Sequence, residues 1–170
     1  MDALQTPPLT LCVSKATLAA SGAATTWSTT GATLYAIKGK AYTTSAASSA
    51  ASPTSDAALG TTFASNTLAA NQGTVFVWCY DGSSTTAATA IKVCQGSEEA
   101  LDASGNFLKA PDFPGIPDTL APFAYTVVKN GSTGSAWTFG TANWNATGIT
   151  LAVLSALALI SVASIAGRAL

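Results

Sequence analysis

Histidine is absent from the 170-residue sequence and charge is scarce: Lys and Arg number 7, Asp and Glu 8, for a net charge of -1. The first absence excludes a histidine general base, a Ser-His or Cys-His nucleophile pair and an imidazole metal ligand. The second leaves seven cations scattered singly, too dispersed to neutralise a row of phosphates, so nucleic acid is not an expected partner. Large apolar side chains are also few. Hydrophobic residues make up 48% of the chain, but 35 of them are alanine, and Leu, Ile, Val and Phe together supply only 35 more. A core this lean gains stability by burying further surface against a partner or copies of itself. Low net charge argues against disorder, and the composition therefore reads as one ordered Ala/Ser/Thr-rich domain.

Cysteine is sparse too. Cys12, Cys79 and Cys94 are odd in number and unrelated in spacing, which fits reduced thiols packed as small hydrophobes better than a disulfide framework or a zinc site. A Cys79–Cys94 contact between neighbouring strands is the lesser alternative. The N-terminus has no basic start and no apolar run of signal-peptide length, so the expectation is a chain that is not secreted.

What is present reads as strands and turns. Residues 10–18 alternate weakly, as a first strand would. Residues 33–37 and 41–44 flank Lys38-Gly39-Lys40, a hairpin whose glycine admits positive φ. Residues 43–58 are low in complexity and read as a surface loop or frayed helix. Residues 73–80 (GTVFVWCY) place Val75, Val77 and Cys79 on one face and Phe76, Trp78 and Tyr80 on the other, so both faces need cover. Asp81-Gly82 turns the chain into a return strand over 85–93. Prolines 111, 114 and 117 recur at the period of polyproline II, and with Pro122 they make residues 109–122 an extended segment lying over a surface, its own or a neighbour's. Residues 123–129 alternate again, and Asn130-Gly131 predicts a hairpin to 136–139. Strands at this spacing predict an all-β fold, a jelly-roll-like antiparallel β sandwich over 11–148 with an extended N-terminal arm, 1–10.

From Asn130 to Gly167 no residue is charged, and 149–166 is mostly apolar. The segment 149–170 has three readings: a strand buried on both faces, a helix in a symmetric bundle, or a membrane anchor flanked by Trp144 and Arg168. Its serines and alanines make it weakly lipophilic, which disfavours the membrane.

No constellation here supports catalysis. Glu98, Glu99 and Asp102, or Asp112 with Asp118, lack the ligand spacing of a calcium loop and read as solvated loop carboxylates. Gly131-Ser132-Thr133-Gly134-Ser135 has neither the lysine of a phosphate loop nor the spacing of a nucleophile elbow, and reads as a turn. The sequons at Asn130 and Asn145 are coincidences in a chain not expected to be secreted. Trp27, Trp78, Trp137 and Trp144 read as bulky anchors of a core or interface, with carbohydrate stacking as the lesser reading. The sequence thus predicts no catalytic residue, no cofactor and no metal.

The layout resembles the small all-β head-decoration (cement) and fibre-type proteins of tailed bacteriophages. The resemblance runs through the turn Ile37-Lys38-Gly39-Lys40, the approach Leu68-Ala69-Ala70-Asn71-Gln72-Gly73 to the aromatic strand, the return Val93-Cys94-Gln95-Gly96, and the proline crossing into 123–128 before Asn130-Gly131. It implies a structural virion protein, made in the host cytoplasm and seated on the outer capsid surface. The partners it implies are copies of itself, as a homotrimer, and the major capsid protein. Alternatives are a head-fibre or tail-fibre module that binds host-surface glycan, and a small membrane-anchored protein. Extended segments that cannot form a core alone are the expected contacts: Leu4, Pro7, Pro8 and Leu9 in the arm, Pro111, Phe113, Pro114, Ile116 and Pro117 in the crossing, together with Trp27.

Overall fold

The computed structural model describes residues 9–20 and 25–155. They form an all-β domain of three antiparallel sheets. The strands are β1 (Leu11–Cys12), β2 (Thr17–Ala20), β3 (Thr26–Thr30), β4 (Thr33–Ile37), β5 (Lys40–Thr44), β6 (Ala50–Ala51), β7 (Gln72–Tyr80), β8 (Ile91–Gln95), β9 (Glu99–Ala100), β10 (Ala121–Asn130) and β11 (Ile149–Ser155). The principal sheet has the order β11-β10-β7-β8, with β9 also pairing β7; the smaller sheets are β1-β4-β5 and β2-β3-β6.

β7 is central because its β-branched and aromatic residues suit a strand covered on both sides, and it is buried from Gly73 to Tyr80. On its first face Trp78 meets Trp27 of β3 edge-on, with ring centroids 5.7 Å apart. Tyr80 stacks on Tyr35 of β4 at 4.9 Å and on Phe123 of β10 at 4.4 Å. Aromatic rings thus supply the core volume that alanine does not. All four indole N–H groups are satisfied: Trp27 donates to Ala51 O, Trp78 to Thr126 Oγ1, Trp137 to Asn143 O and Trp144 to Thr26 O, as buried tryptophan requires. The β4–β5 hairpin has a two-residue turn in which Lys38 (φ 50) and Gly39 (φ 77) are both left-handed, the geometry whose twist matches paired strands.

Five expectations are corrected. Residues 10–18 are not one strand: β1 pairs β4 and β2 pairs β3, in different sheets. Val13 N and Ser14 N both donate to Leu34 O between them, which breaks the ladder and lets the chain cross over. Residues 43–58 are not a loose loop or helix. Ser45 bridges to Thr86, β6 pairs β3, and Asp56 bridges to Val93 at the outer edge of β8. The return from β7 begins with one helical turn, α1 (Ala87–Ala90), before β8, so the alanines follow their helical propensity and only 91–95 pair with β7.

The partner of β10 is β11, in register from Asn130↔Ile149 to Ala124↔Ser155, and not 136–139. Asn130 is buried and its Nδ2 donates to Leu68 O and Ser135 O, which sends 131–148 away as a long loop. That loop drives Trp137, Phe139 and Trp144 into the core. Finally, 149–155 is a strand, but it is not buried on both faces: Ile149, Leu151 and Val153 pack on the core while Thr150, Ala152 and Leu154 are exposed. The remainder of 149–170 lies outside the described residues.

Candidate functional site

Without N–H groups to donate at positions 111, 114 and 117, the proline segment cannot join a ladder, and it runs instead as a strap across the second face of the principal sheet. Ser97 N donates to Asp112 O (3.0 Å) and Asp112 N to Ser97 Oγ (2.8 Å), tying one end down. At the other end Thr10 Oγ1 donates to Asp118 O (2.8 Å) and Lys38 Nζ lies 3.1 Å from Asp118 Oδ2. Between these anchors Ile116 and Leu120 are buried against Val77, Cys79 and Cys94. The strap therefore covers part of its own sheet, and its junction with the start of the chain is the hydrogen bond from Thr10.

Phe107 covers the Gly73 end of that face, and among the described residues its β10–β11 part is left open. Tyr125 of β10 lies opposite Leu154 of β11, and Val127 opposite Ala152. Tyr125 and Val127 are half-buried, Ala152 is exposed and Leu154 is 41% exposed. Phe113, 57% exposed, stands at the border with its ring edge-on to Tyr125 at 5.3 Å. β11 pairs on one side only, with β10, among the described residues. The alternation of 123–129 held the signal for this patch, because an apolar residue on each face of a strand demands cover twice.

Of the contact residues expected from the sequence, Ile116 is buried between the strap and the sheet, Pro111, Pro114 and Pro117 are half-buried, and Phe113 and Leu9 are exposed. Trp27 is turned into the chain's own core at 2% exposure. Leu4, Pro7 and Pro8 lie outside the described residues.

A cavity of about 300 Å³ lies beside the strap. Ala58 and Leu59 form one wall, Gln95, Gly96 and Ser97 the floor, and Asp112 to Gly115 the other wall. The Ala58 wall is held in place by Asp56, which is 1% exposed: its Oδ1 accepts from Ala58 N (2.7 Å) and Leu59 N (3.0 Å), and its Oδ2 from Gln95 N (2.8 Å). A second cavity, about 430 Å³, is walled by the same two segments farther along, at Ser55, Ala57, Thr119 and Leu120. Neither Gln95 nor Asp56 stood out in the sequence, since nothing in their neighbours marks a buried polar group.

The loop carboxylates do not converge. Glu98 Oε1 accepts from Gln95 Nε2, Glu99 pairs with Lys109, Asp102 caps its own turn through Ser104 N and Asn106 N, and Asp112 and Asp118 face different lysines. Among the described residues no three His, Cys, Asp or Glu side chains are grouped to hold a metal ion, and no helix is long and apolar enough to cross a membrane.

The three thiols are free and buried. Burial pushes Cys12 up to about 11 and Tyr80 up to about 12, and it raises Cys79, whose thiol meets that of Cys94, well above the ordinary thiol value. An acid whose folded-state pKa is raised stabilises the fold below its unfolded value and loses that contribution as pH climbs to the folded value. Stability should therefore fall between about pH 9 and 11, as unfolded thiols ionise while folded ones resist. A urea midpoint followed against pH checks this, and a midpoint unchanged to pH 11 contradicts it.

No protein-family model matches the chain, and comparison with curated proteins and with solved structures finds no similar protein.

Proposed function

We propose that the chain is a non-catalytic structural subunit of a virion, a decoration protein of a tailed-phage head. On this reading it is a jelly-roll-like β sandwich whose N-terminal arm and apolar C-terminal segment complete a homotrimer. The trimer sits on the outer capsid surface against the major capsid protein, after synthesis in the host cytoplasm. The observation that carries an assembling subunit is the open part of the second face, where Tyr125 and Val127 of β10 lie opposite Leu154 and Ala152 of β11, an uncharged strand at the edge of the sheet among the described residues. Soluble proteins blunt such edges with charge or proline, and contiguous apolar surface of this kind marks a site of association. The low net charge supports the same reading, because it removes long-range repulsion between closely packed copies. The phage assignment rests on the strand, turn and proline-crossing layout described above.

Native mass measurement of the wild-type chain should give a closed oligomer, and binding to undecorated capsids should saturate at a fixed copy number. Leu154→Lys places a charge on the bare face without touching the core, and should yield a folded monomer with its unfolding midpoint nearly retained. A wild-type chain that stays monomeric and ignores capsids overturns the reading.

A further inference from the structure

We infer that the outer face of the β1–β4–β5 sheet docks head-to-tail on an acidic margin, residues 97–113, of a second copy of the chain. The contact is other than the one through β10–β11 and does not depend on it.

The first surface follows from strand alternation. Cys12 and Tyr35 are buried in the core, so the residues on either side of them point outward. Leu11 lies opposite Ala36, and Ala36 opposite Ala41. Val13 joins them through its N–H, which donates to Leu34 O. Leu9 is 52% exposed, Val13 49% and Leu34 39%, and contiguous apolar surface of this kind marks a contact site. Its border is basic. No Asp or Glu occurs between Ala3 and Ser55, whereas Lys15 follows Val13 and Lys38 and Lys40 flank the β4–β5 turn. Of the three lysines, only Lys38 has a carboxylate partner among the described residues, Asp118.

The second surface lies at the other end of the strap. Leu108 N donates to Ala100 O and Ser97 N to Asp112 O, which draws 97–100 and 108–113 together. Leu108, 71% exposed, and Phe113, 57% exposed, are its apolar part. Glu98, Glu99, Asp102 and Asp112 supply its carboxylates, against the cations of Lys109 and Lys129.

The two surfaces therefore carry equal and opposite charge: three cations against Asp118 on the first, four carboxylates against two cations on the second. The strap is fastened to Lys38 at one end and to Ser97 at the other, which holds the surfaces apart within one copy. A contact between two different surfaces is heterologous and repeats from copy to copy. Complementary charge orders such a contact more than it tightens it, and exposed ion pairs are individually weak. At ordinary ionic strength it does not hold copies together alone, and Leu154→Lys remains a monomer there.

The test is sedimentation velocity in the Leu154→Lys background, which removes the β10–β11 contact. At about 10 mM salt, where charges act over about 30 Å, this parent chain should self-associate at least about tenfold more tightly than at about 0.5 M salt. Adding Lys15→Glu with Lys40→Glu makes both surfaces acidic, and adding Glu98→Lys with Asp112→Lys makes both basic. Each double variant should be monomeric at low salt. Mixed in equal amounts they should associate again, because every contact then joins an acidic surface to a basic one. All four side chains are exposed, so unfolding midpoints should stay near that of the parent. The salt dependence of the parent needs none of these substitutions and decides the question even where a double variant fails to fold. Absence of association at low salt, association that strengthens with salt, double variants that associate alone, or a mixture of folded variants that stays monomeric overturns the inference. The β10–β11 contact is measured on the wild-type chain at ordinary salt, so its failure and the failure of this one are distinguishable.

Discussion

Phe139→Ala should cost about 4 kcal/mol of folding stability, among the larger losses open to any single side chain here, although Phe139 lies in no strand. Its ring, 1% exposed, is surrounded by five others: Phe63 at 4.8 Å, Phe76 at 4.4 Å, Trp144 at 5.4 Å, Trp78 at 5.6 Å and Trp137 at 6.3 Å between centroids. Truncation removes the transfer energy of the ring and leaves a cavity that five rigid neighbours cannot collapse to fill. It also forfeits several edge-on and tilted aromatic contacts at once. Urea unfolding followed by tryptophan fluorescence measures the loss, and near-ultraviolet circular dichroism should lose intensity in the variant's native state. A loss below about 1 kcal/mol contradicts a core centred on this residue.

Asp56→Ala should cost about 3 kcal/mol for a different reason. The carboxylate is buried, has no lysine or arginine partner among the described residues, and is held by three backbone N–H groups. Removing it strands the Gln95 N–H inside the protein, while those of Ala58 and the exposed Leu59 gain water. The three donors are therefore not equal, and most of the cost comes from Gln95. Asp56→Asn should lose less, because its Oδ1 still accepts from Ala58 and Leu59 while its Nδ2 opposes the Gln95 N–H. Denaturant midpoints for the pair of variants check the ordering. Equal losses contradict it, since they place the whole effect in the Gln95 N–H bond that both variants lose and none in the bonds to Ala58 and Leu59 that asparagine keeps.

The two residues show where sequence reasoning reaches and where it stops. The alternation across β7 is a local property of one strand, so Phe76, Trp78 and Tyr80 could be assigned to one face before any partner was known. The turn at Lys38-Gly39 is likewise local, since two left-handed residues close it whatever surrounds them. The choice of β11 over 136–139 as the partner of β10 is not local. Asn130-Gly131 has the composition of a tight hairpin, but burial of the Asn130 amide between Leu68 O and Ser135 O outweighs it. The same limit hid the cleft, because Gln95, Asp56 and Asp112 meet only when the 55–59 segment and the strap are docked on β8.

By itself, the sequence determined the class of the fold, the lack of histidine chemistry, and the presence of a segment that proline keeps out of any ladder. These follow from residue type, from period and from missing N–H groups, none of which depends on distant neighbours. Only the tertiary structure decided that the strap covers part of its own sheet and, among the described residues, leaves Ala152 and Leu154 exposed beside the half-buried Tyr125 and Val127. It likewise decided that a loop would supply the centre of the core. Both outcomes depend on long-range pairing, where buried backbone groups must all find partners and the volume absent from alanine must come from whichever aromatic rings the chain can bring together.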